Sequence, residues 1–136
     1  MISTIFTLLD FPPHGDVERG FLASVDPAPF PIRRVFWIYN WPAGVRRGGH
    51  AHRECQQLFI LVEGRVDFTL RNAHGMVTQT MSVPHQGLWV PPMVWVEMEA
   101  MALDNILLCL CSTEYNEADY IRNADEWRKL VTVRDA

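Results

Sequence analysis

The middle of the chain is a succession of short apolar segments separated by turn-forming residues. Seven of them are rich in β-branched and aromatic side chains, as β-strands are, and they span 33–40, 56–64, 65–72, 76–83, 87–92, 94–99 and 105–112. Residues 65–72 alternate between apolar and polar positions, whereas 58–62 are apolar throughout and are expected to form a central strand. Short strands without intervening helices favour a sandwich or a small barrel.

The last twenty residues change to a helical period. Asn116 and Asn123 each stand three residues before an acid, a spacing that resembles a capping box and predicts two short helices. In the second helix, Trp127, Leu130 and Val131 fall on one face, which is expected to pack against the strands.

The composition is that of one globular domain covering residues 1–136. Apolar residues make up 49% of the chain and charged residues 21%, and no apolar run approaches the roughly 20 residues of a membrane span. The N-terminus has no basic flank and no small-residue cleavage site, so no signal peptide is expected. The three cysteines have no paired spacing, which favours a reducing compartment and a cytoplasmic location.

The charge is acidic overall but locally basic. A net charge of −4 argues against a nucleic-acid-binding protein. All but one of the twelve basic residues are arginine, and Arg33, Arg34, Arg46 and Arg47 fall within 15 residues. Because guanidinium groups bind phosphate and carboxylate in a bidentate manner, this cluster points to an anionic small-molecule ligand.

Two histidines carry the strongest chemical signal. His50 and His52 are two residues apart on a predicted strand, so both side chains are expected to enter one cavity. The spacing Gly-x5-His-x-His-x4-Gln-x6-Gly resembles the first motif of the cupin superfamily, but Gln57 and Val96 stand where metal-binding cupins have Glu and a third His. Amide oxygen is a weak ligand and valine is none, so no metal is expected. Proton transfer is the natural use of such a pair.

The chain also resembles a narrower group, the cupin-type sugar 3,4-ketoisomerases that act on dTDP-4-keto-6-deoxyglucose. The family's Arg-Gly-x-His-Ala-His core is similar to residues 47–52, and its Tyr-x-Glu-x-Asp-Tyr-Ile-Arg tail is similar to residues 115–122. Further similarities, in the family's order, lie at 19–22, 33–38 and 90–98. Together these motifs cover nearly the whole chain.

This resemblance implies an all-β fold, a cupin (RmlC-like) jelly-roll β-barrel with short C-terminal helices. It also implies a homodimer that binds a dTDP-linked keto-deoxysugar and moves its keto group from C4 to C3 without a metal or cofactor. His52 is assigned as the main proton shuttle, His50 as its partner, and Arg47 as the group that stabilises an oxyanion or a phosphate. The expected substrate-binding residues are Arg34, Phe36, Gln57, Trp95 and Glu97.

The sequence departs from the family at several positions, and these keep alternatives open. Val96 replaces a histidine of the family, and Phe36 and Trp37 replace two tyrosines. The alternatives are a 3,5-epimerase-like enzyme on the same substrate class and a non-catalytic nucleotide-sugar-binding cupin. The weakest alternative is a metal-dependent cupin enzyme. The apolar N-terminal segment is a candidate for a strand exchanged with a partner.

Overall fold

The structure, a computed structural model, describes residues 4–135, with side chains through residue 132. This part of the chain holds twelve strands, one 3₁₀ turn and one α-helix. The strands are β1 (Thr7–Asp10), β2 (His14–Asp16), β3 (Gly20–Leu22), β4 (Arg34–Ile38), β5 (Arg46–His52), β6 (Gln57–Glu63), β7 (Val66–Asn72), β8 (Gly75–Met81), β9 (Gln86–Val90), β10 (Trp95–Ala100), β11 (Ile106–Cys111) and β12 (Tyr120–Ile121). The 3₁₀ turn spans Glu117–Asp119 and helix α1 spans Ala124–Asp135.

Strands β4 to β11 form a jelly roll. One sheet has the order β1-β9-β6-β11-β4 and the other β12-β5-β10-β7-β8, with β2 and β3 as a separate hairpin. Neighbouring strands in both sheets are antiparallel. The expected cupin-like jelly roll is therefore confirmed, although the two sheets pack face to face and do not close into a continuous barrel.

The core lies between the two sheets and follows the two-residue period of the strands. On β7, Val66, Phe68 and Leu70 are buried, and the intervening side chains are half-exposed. Phe68 meets Phe59 of the other sheet with ring centroids 5.1 Å apart. Contacts of this kind across the gap bury the apolar face of each sheet, which is the main stabilising contribution in such a fold.

The apolar run 58–62 forms the central strand β6, as predicted, with β9 and β11 on its two sides. Its inward side chains belong to the core between the sheets, while Leu58 and Ile60 lie in a second cluster with Phe11 and Phe30. The N-terminal segment thus covers the outer face of β6, so this strand is buried on both faces and has no polar alternation.

Helix α1 begins as predicted. The side chain of Asn123 accepts a hydrogen bond from the Glu126 backbone N–H at 2.9 Å, which is an N-cap contact. Trp127 packs with Trp95 and Ala51 on the outer face of the second sheet, and its indole N–H donates to the Met93 carbonyl at 2.7 Å. The predicted packing of this helix on the strands is confirmed.

Strand β5 has a bulge at Gly48 and Gly49, and this bulge sets the position of the two histidines. Both glycines have positive φ, +87° and +77°, and the register with β10 shifts between Val96 and Glu97. After the bulge His50 lies opposite Val96, whose side chain is in the core between the sheets. Directly opposed residues share a face, so His50 also faces inward.

Replacing Gly48 with alanine is expected to destabilise the protein more than the same change at Gly49. Both positions are strained for an L-residue, which costs about 1–3 kcal/mol. A Cβ at Gly48 would also lie 2.7 Å from the Val96 carbonyl oxygen, whereas one at Gly49 meets no atom within 4 Å. Urea denaturation of the two variants measures the difference, and equal losses of stability would contradict the proposed clash.

Candidate active site

The two histidines of β5 lie against each other on the inner face of their sheet. Their ring centroids are 5.2 Å apart and the ring planes are nearly perpendicular, at 88°. His52 is buried and His50 is half-buried. The two side chains therefore share one face of the strand, as their spacing predicts.

A buried carboxylate orients His52. The Nδ1 atom of His52 lies 2.8 Å from Oδ2 of Asp119, and both side chains are at least nine-tenths buried. A carboxylate can only accept, so this contact places the imidazole proton on Nδ1 and leaves Nε2 as an acceptor. Among the described residues Nε2 has no hydrogen-bond partner. In the neutral imidazole, Nε2 is thus the nitrogen that could act as a general base.

Asp119 is itself held by the backbone. Its Oδ1 accepts from the Glu54 N–H at 2.7 Å, and Oδ2 also accepts from the Cys55 N–H at 3.4 Å. Asp119 stands at the acid position of the predicted capping box that begins at Asn116. Asn116 does cap the 3₁₀ turn, by accepting from the Ala118 N–H at 3.1 Å, but Asp119 turns away from it toward His52.

Tyr120 completes the wall of the cavity and was missed as a site residue. Its ring centroid lies 4.3 Å from that of His52 and 5.1 Å from that of His50. Its hydroxyl accepts from Nη1 of Arg34 at 3.2 Å, so the hydroxyl proton remains free to be donated elsewhere. The tail motif 115–122 was the signal in the sequence, but nothing in it showed which side chains turn inward.

The tail is fixed by a charged network on its outer side. Glu117 accepts two hydrogen bonds from Arg122, at 2.7 and 3.0 Å, and one from the Tyr115 hydroxyl at 2.6 Å. These bonds, first from Arg122 and then from Tyr115, lower the pKa of Glu117 to about 2. The guanidinium of Arg122 also lies 4.2 Å from the centroid of the Tyr120 ring, which holds that ring against the histidines.

The environment of His50 keeps it uncharged. Burial and then repulsion from His52 lower the pKa of His50 to about 4. Its Nδ1 has no hydrogen-bond partner among the described residues. At neutral pH His50 is therefore a neutral imidazole beside His52, and it can accept or relay a proton.

Comparisons with known proteins identify the family of the chain. Residues 5–132 match the family described as FdtA: WxcM-like, C-terminal. The chain belongs to the FdtA family. It is 33% identical, over 84% of each chain, to the TDP-4-oxo-6-deoxy-alpha-D-glucose-3,4-oxoisomerase of Aneurinibacillus thermoaerophilus.

Solved structures of FdtA-like enzymes show the same fold. The sugar 3,4-ketoisomerase QdtA of Thermoanaerobacterium thermosaccharolyticum, in complex with TDP, has a TM-score of 0.92 at 30% identity, over 99% of this chain and 100% of that one. A histidine-to-asparagine variant of QdtA, in complex with TDP-4-keto-6-deoxyglucose, has a TM-score of 0.91 at 29% identity, over 98% of both chains.

Of the residues that the sequence predicted for this FdtA-family site, Arg34 is linked to the histidine pair through Tyr120, and Phe36 lies beside Arg34. The Arg34 guanidinium lies 4.8 Å from the centroid of the Phe36 ring and donates to the Tyr120 hydroxyl. Arg47 lies opposite Met98, a core residue, so it shares the inner face with His50. Its side chain is exposed at the start of β5 and makes no ion pair with any described residue.

Gln57 lies deeper, between the sheets. It is buried and its amide nitrogen lies 3.9 Å from the sulfur of Cys111. Val96, at 2% exposure, offers no ligand atom opposite His50. Metal-binding cupins hold their ion at the four positions that are His50, His52, Gln57 and Val96 in this chain, and these side chains do not fit a transition metal. No step of the proposed reaction uses a metal ion.

The structure does not bring Trp95 or Glu97 to the histidines, which corrects two of the predicted substrate contacts. Trp95 packs under helix α1, with its ring centroid 5.7 Å from that of Trp127. Glu97 lies 3.8 Å from Arg71 and is half-exposed. The reason is strand alternation: because Val96 faces the core, its two neighbours on β10 face the outside.

The pKa of His50 predicts a loss of stability in acid. The folded pKa of about 4 lies below the ordinary 6.5, so the unfolded chain binds a proton more readily. This contribution to stability is fully present above pH 6.5 and disappears as the pH falls toward 4, with an upper limit of about 3 kcal/mol. A His50→Gln variant is expected to lose less stability than the wild type between pH 7 and 4.5 in urea denaturation. Identical pH dependence of the two proteins would contradict the prediction.

Proposed function

We propose that this protein is a nucleotide-sugar 3,4-ketoisomerase that moves the keto group of a dTDP-4-keto-6-deoxyhexose from C4 to C3. The observation that carries the proposal is the His52–Asp119 pair, with its unpartnered Nε2, in a chain of the FdtA family. The relatives named as 3,4-ketoisomerases or oxoisomerases support the same reaction. A dTDP-linked sugar also suits the arginines around the cavity, since its diphosphate is an anion.

The isomerisation needs a general base and a group that stabilises the negative charge of the enolate oxygen. Nε2 of His52 removes the proton from C3, the C–H electron pair forms a C3–C4 double bond, and the C4 oxygen becomes an enolate. The carbon at C4 then takes a proton, the C3 hydroxyl loses its proton, and the C4 oxygen gains one. The product is an isomer of the substrate, so the reaction consumes no oxidant or reductant. His50 is the partner that relays protons between His52 and the medium.

The groups around the cavity supply the positive charge for the enolate and the phosphates. Arg34 donates to Tyr120, and the Tyr120 hydroxyl can donate in turn to the C4 oxygen. Arg47 is free of ion pairs with the described residues and stands at the cavity mouth, where it can bind either the oxyanion or a phosphate. These roles of Arg34, Arg47 and Tyr120 are part of the proposal.

The test is an NMR time course of the purified protein with dTDP-4-keto-6-deoxyglucose in D₂O. We expect a 3-keto isomer with deuterium at C4, because the proton carried by the histidines exchanges with solvent. The reaction is expected to continue in EDTA. Deuterium at C3 or C5 with the keto group still at C4 would indicate the epimerase alternative, and tight binding without any exchange would indicate a binding protein.

We further propose that the protein is a homodimer. Strand β4 is at the edge of its sheet and exposes Val35 and Trp37, and Tyr39 directly after the strand is exposed as well, with exposed fractions of 46, 60 and 63%. A row of exposed apolar side chains on an edge strand is typical of a surface covered by another chain.

In the described residues no helix is long and apolar enough to cross a membrane. The three free cysteines, all buried, support the proposed cytoplasmic location.

Exchanging Trp37 for arginine is expected to shift the protein from dimer to monomer, because a buried guanidinium without a partner is costly in an interface. Light scattering coupled to size-exclusion chromatography would show a mass of twice 15.7 kDa for the wild type and of one chain for the variant. Leu103, 86% exposed in a loop, provides the control variant Leu103→Arg. A monomeric wild type would refute the dimer.

A further inference from the structure

Three buried side chains of different chemistry lie close together, and one of them is His52 of the histidine pair. One nitrogen of His52, the sulfur of Cys55 and a carboxylate oxygen of Asp119 all lie within 4.8 Å of one another. Their exposed fractions are 6, 4 and 9%. Cys55 takes no part in the proposed reaction, so its position beside the His52–Asp119 pair calls for a separate explanation.

The set of donor atoms suits a thiophilic divalent cation. Zinc sites combine thiolate, imidazole and carboxylate ligands, and three protein ligands with one open position make a common arrangement. A tetrahedral site would bring the ligand atoms to roughly 3.3–3.8 Å from one another, so His52, Cys55 and Asp119 need to move by about 1 Å. This cluster differs from the cupin metal positions, with which it shares only His52. Magnesium, which prefers six oxygen ligands, does not suit it.

Binding of a cation here replaces local hydrogen bonds, because Oδ2 of Asp119 already accepts from Nδ1 of His52 at 2.8 Å and from the Cys55 N–H at 3.4 Å. Glu54 N–H holds Oδ1 of Asp119, so Oδ2 can bind a cation while the carboxylate stays anchored. Cys55 lies in the turn between β5 and β6, where its thiol contacts the carbonyl of Gln56 at 3.3 Å. The imidazole of His52 can bind a cation through Nδ1 once the proton there moves to Nε2.

We propose that His52, Cys55 and Asp119 form an inhibitory site for a divalent cation of the zinc class. Binding releases the thiol proton of Cys55 to solvent and moves the imidazole proton of His52 from Nδ1 to Nε2. Nε2 then carries a hydrogen and can no longer accept one from the sugar. The inhibition, though not the metal binding, rests on the proposed isomerase function.

Binding is tested first, without any activity measurement, by titrating the dialysed full-length protein with CoCl₂. We expect one equivalent of Co²⁺ to give thiolate charge-transfer absorption and the visible bands of a four-coordinate ion, and ZnCl₂ to displace it. Cys55→Ala and Asp119→Asn are expected to lose these bands. Cys109→Ala is the matched control, because Cys109 is a buried thiol outside the cluster, and it is expected to keep them.

Several results would overturn the site. The first is the absence of Co²⁺ bands in the wild type, and the second is bands that persist in Cys55→Ala. The third is bands that disappear in Cys109→Ala, because that result would indicate a site made of thiols. Thermal denaturation checks that each variant is folded. Cys55→Ser is a second variant of nearly the same volume, and it is expected to weaken binding because a hydroxyl is a poor ligand for soft cations.

Inhibition is tested second, by adding ZnCl₂ to the isomerase assay with MgCl₂ as the control salt. The wild type is expected to be inhibited by zinc only, and Cys55→Ala is expected to keep its turnover. The zinc concentration for half-inhibition should rise at least about 100-fold in that variant, since even residues that only support a metal ligand contribute 10- to 100-fold. Equal zinc sensitivity of the two proteins would refute the inhibitory role. An inactive wild type that still binds Co²⁺ would refute the proposed function and leave the metal site standing.

Discussion

The His52→Asn variant is expected to lose turnover by about 10²- to 10⁴-fold, the usual contribution of a general acid–base group. Asparagine has nearly the same shape as the proximal half of an imidazole, and its amide can donate to Asp119 as Nδ1 does. It has no nitrogen that can accept a proton from carbon. The loss should therefore fall on kcat, while the affinity for the nucleotide sugar changes little.

Steady-state kinetics with dTDP-4-keto-6-deoxyglucose and calorimetric titration with TDP measure the two quantities separately. His14→Asn is the control, because His14 is exposed on the β2–β3 hairpin. A His52→Asn enzyme with more than about a tenth of the wild-type kcat would exclude His52 as the main base and transfer that role to His50.

Asp119→Asn is expected to reduce kcat by about 10²- to 10⁴-fold, although Asp119 is a positioning residue that acts through His52. The carboxylate accepts both from the Glu54 N–H and from His52. If the asparagine oxygen keeps the backbone bond, its NH₂ faces Nδ1 and donates to it. The imidazole proton then moves to Nε2, the atom that has to accept from the sugar.

The nitrogen NMR shifts of His52 distinguish this effect from a general loss of structure, since the two tautomers differ at both ring nitrogens. We expect the wild type to carry its proton on Nδ1 and the variant on Nε2. Asp125→Asn is the control, because among the described side chains Asp125 pairs with Arg128 alone, on the surface of helix α1. A variant with unchanged tautomer and full activity would remove Asp119 from the mechanism.

The strands and the histidine pair could be predicted from local pattern. Alternation in 65–72 identified β7, and the continuous apolar run 58–62 identified a central strand. The spacing of His50 and His52 placed both on one face, because side chains two apart on a strand point the same way. The same rule, applied around Val96, would have excluded Trp95 and Glu97 from the cavity.

Asp119 and Tyr120 show what local pattern does not contain. Asp119 lies 67 positions from His52, and its spacing after Asn116 fits a capping box equally well. Its contact with His52 depends on the pairing of β12 with the end of β5, where Tyr120 is opposite His52. That pairing brings together residues from distant parts of the chain, so a local pattern does not contain it.

The sequence by itself therefore determined the sandwich or small-barrel class, which the family resemblance narrowed to a jelly roll, the helix at the C-terminus and the face shared by the two histidines. All three follow from the periods of the chain or from short motifs with a fixed spacing. The tertiary structure decided the rest: the carboxylate that orients His52, the arginine and tyrosine beside it, and the thiol of Cys55 behind it. Those contacts join residues whose separation along the chain is unrelated to their distance in space, so they form only through the pairing of β12 with β5 and the packing of one sheet on the other.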